Sequence, residues 1–143
     1  GGRQVINKQV RNNERHLFFN ENLAKELWQR LKPFFPDKIG TCTPIGLNEM
    51  FRLYKYTEGQ RFKMHKDGSY KRNEKEYSLY SLVIYLNTNF IGGQTSFRKL
   101  CSVLPDQGKA LIFYHPLRHE GKEIIKGTKY VLRTDIMFKD NSL

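Results

Sequence analysis

Two side chains two positions apart, His65 and Asp67, and a histidine far along the chain, His119, are residue types that bind a divalent transition metal through nitrogen and oxygen. On a β-strand, positions i and i+2 project to one face, so the imidazole of His65 and the carboxylate of Asp67 can converge on a single ion. Two histidines and one carboxylate cover one face of an octahedral ion and leave three positions open. That arrangement suits Fe(II) chemistry in which a chelating cosubstrate and dioxygen share the metal. By itself a His-x-Asp pair is weak evidence, since surface turns carry it by chance; its weight comes from its surroundings. His115, four residues before His119, is a rival for the distal position.

Ten residues after His119, Lys129 follows Gly127-Thr128 and opens a β-type run, with Arg133 four residues further on. Strand geometry puts both cations on one face with Val131 and Asp135. Cations on an inward strand face are costly unless an anion meets them. A dicarboxylate cosubstrate is one such anion; the plainer alternative is a solvated Lys129 and an Arg133 paired with Asp135. Tyr56 and Tyr85, on runs bearing or adjoining the metal pair, can donate phenolic hydrogen bonds to the same anion.

The elements that must position these groups are mostly β. Leu23, Leu27 and Leu31 recur at helical spacing with Ala24 and Trp28 beside them; Asn20 or Asn22 can cap the start and Pro33 closes the end. The polar stretch Arg11-Asn12-Asn13-Glu14-Arg15 shows no periodicity. Past residue 45 the period changes to two. Met50, Arg52, Tyr54 and Tyr56 alternate with Phe51, Leu53 and Lys55, and β-rich runs follow at 77–86, 94–98, 109–114 and 129–138, each bounded by Gly, Pro or Asp turns. Short strands at this spacing predict a sandwich or barrel closed by packed helix. Residues 68–76 lack apolar periodicity and start one residue after Asp67, which predicts a mobile loop at the mouth of the site whose Lys71, Arg72 and Lys75 contribute to recognition.

A chain of 143 residues buries one sizeable core, so residues 1–143 are expected to form a single domain, with 1–45 an N-terminal segment containing the helix and 46–138 the β core. The formal net charge is +11, which would attract nucleic acid, anionic surfaces or an acidic substrate, although the basic residues are interleaved with acids. No apolar run approaches a membrane span, and the opening Gly1-Gly2-Arg3-Gln4 lacks the apolar stretch of a signal peptide. Cys42 and Cys101 cannot build a disulfide framework or a cysteine zinc cluster. A cytoplasmic, intracellular location is the expectation.

Taken together, Tyr56-Thr57-Glu58-Gly59-Gln60-Arg61-Phe62-Lys63-Met64-His65-Lys66-Asp67, then Val83-Ile84-Tyr85-Leu86-Asn87, Gly92-Gly93-Gln94-Thr95-Ser96-Phe97, and His119-Glu120-Gly121 through Gly127-Thr128-Lys129 resemble the prolyl 4-hydroxylase-like branch of the Fe(II)- and 2-oxoglutarate-dependent dioxygenases. The likeness runs in order from about residue 46 to 138. It implies a double-stranded β-helix, or jelly roll, with helices packed on its larger sheet. It implies iron ligation by His65, Asp67 and His119, with Lys129 opposite the C5 carboxylate of 2-oxoglutarate and Tyr56, Tyr85 and Thr95 around the cosubstrate. The Lys at ten residues and the Glu-Gly pair favour His119 over His115. Arg133 matches no fixed family position; it can meet the C1 carboxylate, the prime substrate, or the C5 carboxylate in place of Lys129.

The activity implied is hydroxylation of an unactivated C–H bond with Fe(II), 2-oxoglutarate and O2, succinate and CO2 as co-products, and room for ascorbate as a reductant. A protein or peptide side chain is the leading substrate, with proline the first choice. The net charge and Lys63, Lys66, Lys71, Arg72 and Lys75 keep a nucleic-acid substrate open. A small-molecule oxygenase and a non-catalytic jelly-roll binding module complete the alternatives. No membrane partner is expected, and the sequence does not speak to the oligomeric state.

Overall fold

Asn20 starts the helix: its side-chain oxygen accepts from the Leu23 N–H at 2.9 Å, so α1 spans Glu21–Leu31 with Glu21 in its first turn. Pro33 lies in the 3-10 turn Lys32–Phe34 that ends it. The structure, a computed structural model, describes residues 11–142; the Gly1-Gly2-Arg3-Gln4 start falls outside the described residues. The helix turns Leu23, Leu27, Trp28 and Leu31 onto a core built on Phe51, Leu82, Ile136 and Phe138. No described helix is long and apolar enough to cross a membrane.

The described residues form twelve strands: β1 Glu14–Phe19 before the helix, then β2 Cys42–Leu47, β3 Met50–Tyr56, β4 Phe62–His65, β5 Glu76–Tyr85, β6 Phe90–Gly92, β7 Thr95–Phe97, β8 Ser102–Val103, β9 Ala110–Tyr114, β10 His119–Gly121, β11 Ile124–Gly127 and β12 Lys129–Asp140. The larger sheet has the order β1-β3-β12-β5-β9, with β2 paired to the far half of β12; the smaller runs β4-β10-β7-β8. From β3 onward the chain passes back and forth between these two antiparallel sheets, which is the winding of a jelly roll. A ribbon of β6 and β11 closes one end.

The larger sheet has two different faces. Phe51, Leu82, Ile136 and Phe138 face the helix, whereas Tyr54, Tyr56, Tyr85 and Val131 point between the sheets. The segment ahead of residue 46 supplies β1 and most of β2 to this sheet. β1 escaped the hydrophobic pattern for a physical reason. It is an edge strand paired with β3, and its inward residue Arg15 meets a polar cavity where an apolar core would have left an alternating signal.

Candidate metal and cosubstrate site

His65 ends β4 and His119 opens β10, and the antiparallel register sets the two opposite one another. Phe62 stacks on the His65 ring at 3.7 Å, and Phe113 packs edge-on to His119 at 4.6 Å, which fixes both rings. Each imidazole is also oriented by its backbone: Nδ1–H of His65 donates to the Lys63 carbonyl at 2.7 Å, and Nδ1–H of His119 to that of Leu117 at 2.9 Å. Both Nε2 lone pairs are thereby freed toward a common point, as metal-binding histidines require.

Asp67 stands two residues past the end of β4 rather than on it, its N–H bonded to the His115 carbonyl at 3.0 Å. Its Oδ1 lies 3.4 Å from His65 Nε2 and 3.7 Å from His119 Nε2. The three ligating atoms fall within 4.8 Å of one another. The other oxygen, Oδ2, accepts from the Ser81 hydroxyl at 2.6 Å and faces Arg133 at 3.2 Å. Burial alone would raise the Asp67 carboxyl, but the adjacent His65 ring, the Arg133 charge and the Ser81 hydroxyl outweigh it and hold it well below the usual carboxylate range. Burial lowers His119, keeping its imidazole neutral. Two imidazole nitrogens and an ionised carboxylate form an N2O donor set suited to Fe(II).

His115, the rival ligand, is committed elsewhere. Its ring nitrogens meet Ser78 and Ser81, each at 2.8 Å, and burial keeps it neutral as well. It belongs to a buried polar layer behind Asp67 that also holds Asp135, which Arg133 reaches at 3.3 Å. Arg133 is thus bound between two carboxylates, Asp67 and Asp135.

Lys129 lies on the same strand and is buried. Its Nζ donates to the Gly93 carbonyl at 2.7 Å and sits 4.8 Å above the Tyr56 ring and 5.6 Å from that of Tyr85. Desolvation lowers its pKa to about 8. Tyr85 exchanges a hydrogen bond with Thr95. Burial raises both tyrosines, so they stay neutral donors. Gly93 makes the cradle feasible: at φ +72°, an added Cβ would come 2.7 Å from Ile124 Cδ1 and 3.1 Å from Lys129 Cδ.

A cavity of about 220 Å³ joins the triad to Lys129, and Arg15, Arg52 and Lys66 add to its lining. Sequence reasoning passed over Arg15 and Ser81 as site residues and named Asp135 only as a partner for Arg133, a pairing present here at 3.3 Å. Arg52 carried a legible signal, because it alternates with Tyr54 and Tyr56 on one face of β3. Residues 68–76 correct an expectation. The cavity wall includes Gly68, but Lys71, Arg72 and Lys75 are not part of it. Arg72 is instead bound to Glu49 at 2.9 Å, Lys71 to Glu74, and the backbone is tied to β5 through Ser69, Tyr70 and Ser78. Local hydrogen bonds that the sequence pattern does not announce hold this connection against β5.

A family model for the 2OG-Fe(II) oxygenase superfamily matches residues 51–134, which include the triad, Lys129 and Arg133. No curated protein sequence matches. Among solved structures, a viral collagen prolyl hydroxylase of Paramecium Bursaria Chlorella virus-1, in its 2OG complex, is similar with TM-score 0.68 and 21% identity over 90% of this chain and 80% of that one. A Pseudomonas putida prolyl-4-hydroxylase has TM-score 0.67 and 14% identity over 93% and 76%. A Trichoplax adhaerens prolyl hydroxylase, solved with a hypoxia inducible factor oxygen degradation domain peptide fragment, has TM-score 0.70 and 17% identity over 96% and 67%.

Proposed function

The chain belongs to the 2OG-Fe(II) oxygenase superfamily, and from that premise we propose that this 2-oxoglutarate-dependent dioxygenase hydroxylates a prolyl side chain of a protein or peptide, with His65, Asp67 and His119 as its metal ligands. The observation that carries the ligand assignment is the convergence of two Nε2 atoms and Asp67 Oδ1 on one point, with every other polar atom of the three side chains already engaged. Bound Fe(II), with 2-oxoglutarate and O2, supplies the chemistry that puts oxygen into an unactivated C–H bond and releases succinate and CO2. The chain's own residues orient and enclose it. Lys129 holds the far carboxylate of 2-oxoglutarate in a desolvated, charge-assisted contact, with the Tyr56, Tyr85 and Thr95 hydroxyls beside it. Phe62, Phe97 and Phe113 wall the histidines and limit water.

The peptide substrate is supported by the similar prolyl hydroxylases, one of them solved with a peptide fragment. A reducing compartment belongs to the same proposal, supported by the free thiols of Cys42 and Cys101. Incubation with Fe(II), 2-oxoglutarate, O2 and a library of proline-containing peptides should release succinate and add one oxygen atom to a proline, located by tandem mass spectrometry. Succinate release driven only by small molecules or oligonucleotides would reject the prolyl assignment.

A further inference from the structure

The cavity is strongly unbalanced in charge. Arg15, Arg52, Lys66, Lys129 and Arg133 line it against a single carboxylate, Asp67, among the described residues. Fe(II) and 2-oxoglutarate carry equal and opposite charges, so loading both leaves that surplus in place. Lys129 faces the cosubstrate and Arg133 is held by Asp67 and Asp135. Arg15 and Arg52 are different. Arg15 Nε and Arg52 Nη1 are buried donors with no hydrogen-bond partner among the described residues; Arg133 Nε is another, but the Nη2 of that guanidinium already meets two carboxylates. The nearest carboxylate to Arg52, Asp135, is 4.0 Å away and already serves Arg133. Burial and the Arg133 and Arg15 charges lower the Arg52 guanidinium by more than Asp135 and Tyr54 raise it. An unpaired buried donor costs free energy until an acceptor arrives.

The two arginines lie close together. Arg15 pairs with Tyr54 across β1 and β3, and Tyr54 and Arg52 share a face of β3, so the arginines are diagonal cross-strand neighbours. Lys129 is set apart from this pair: it is four residues along β12 from Arg133, the register partner of Arg52, or roughly 13 Å of strand. The C5 anchor and the arginine pair therefore bind different groups.

We propose that Arg15 and Arg52 form an anion-binding subsite beside the metal triad that receives a carboxylate of the prime substrate, so that the enzyme selects peptides with an acidic group next to the hydroxylated residue. This rests on the peptide reading of the active site. A carboxylate is favoured over a phosphate backbone because the unpaired donor atoms are buried in the wall of the cavity and are not on the outer surface. Several outer cations are already paired: Arg30 with Glu26, Arg72 with Glu49, and Arg61 and Lys122 sharing Glu120.

The test uses proline peptides that differ only in Glu, Gln or Lys beside the proline, each with a free or an amidated C-terminus. Binding is measured by calorimetry on the metal-free protein and kcat/KM on the loaded enzyme. A Glu peptide or a free C-terminus should bind and turn over about ten- to a hundredfold better than its neutral counterpart. Arg15→Gln and Arg52→Gln should bring the two near parity. The amidated series tells a side-chain carboxylate from a terminal one. Equal binding of charged and neutral peptides by the unaltered protein overturns the proposal, as does a preference that survives both substitutions. So does an oligonucleotide that binds where the Glu peptides do not. If either variant fails to fold, the wild-type series decides. If none of the peptides is hydroxylated, the prolyl reading falls, and calorimetry still judges the subsite by whether Glu is preferred.

Discussion

The guanidinium of Arg133 meets Asp67 at Oδ2, 3.2 Å away, while the other oxygen of the same carboxylate faces His65 and His119. A cation in the middle of β12 thus aims a metal ligand that lies just past β4. Removing such an orienting partner usually weakens metal binding by about ten- to a hundredfold. Arg133→Gln should do so for Fe(II) or Mn(II), read by direct metal titration. If metal affinity stayed intact and only the 2-oxoglutarate KM rose, Arg133 would take over the C5 role.

Lys129→Ala should raise the 2-oxoglutarate KM by about one to two orders of magnitude, from loss of one charge-assisted contact. Metal binding should persist. The pH dependence has a definite sign. With its pKa lowered to about 8 by burial, Lys129 is charged below that pH and loses its proton above it. A bound carboxylate raises that pKa again, so 2-oxoglutarate affinity should be level below about pH 8 and fall by up to tenfold per pH unit above it. Calorimetric titration across this range checks it; in Lys129→Ala the decline should disappear.

At Gly93, Ala would place a Cβ against Ile124 and Lys129 at a φ of +72°. Strain of that type costs on the order of 1–3 kcal/mol. Gly93→Ala should lower the Tm and also weaken 2-oxoglutarate binding, since the Gly93 carbonyl is where Lys129 is anchored. A variant of normal cosubstrate affinity would show that this cradle does not govern the lysine.

His119 and His115 separate by readout. His119→Ala should abolish tight metal binding. His115→Ala should leave a metal site but destabilise the fold by about 1–3 kcal/mol, because the Ser78 and Ser81 hydroxyls lose a buried partner. Chemical denaturation alongside metal titration measures both. The reverse pattern would transfer the ligand role to His115.

Features set by local period and local chemistry are legible in the chain alone. Leucine spacing and Asn20 define α1; the alternation from Met50 to Tyr56 puts Arg52, Tyr54 and Tyr56 on one face; the Gly-Gly pair before Thr95 marks a turn only glycine can make. The jelly roll was legible through its resemblance more than its periodicity. Which strands become neighbours is a property of the folded molecule. Period two assigns a side chain to a face but says nothing about what lies across the sheet. The row Leu17, Arg52, Arg133, Val83, Leu111 exists because β12 lies between β3 and β5, with β1 and β9 at the edges. That row gives Arg133 to Asp67 and leaves Arg52 with only a distant, shared Asp135 among the described residues. His115 and His119 are four residues apart, yet one was drawn into the serines behind Asp67 and the other set opposite His65, because the chain turns between β9 and β10. Long-range register, which no local pattern encodes, made that choice.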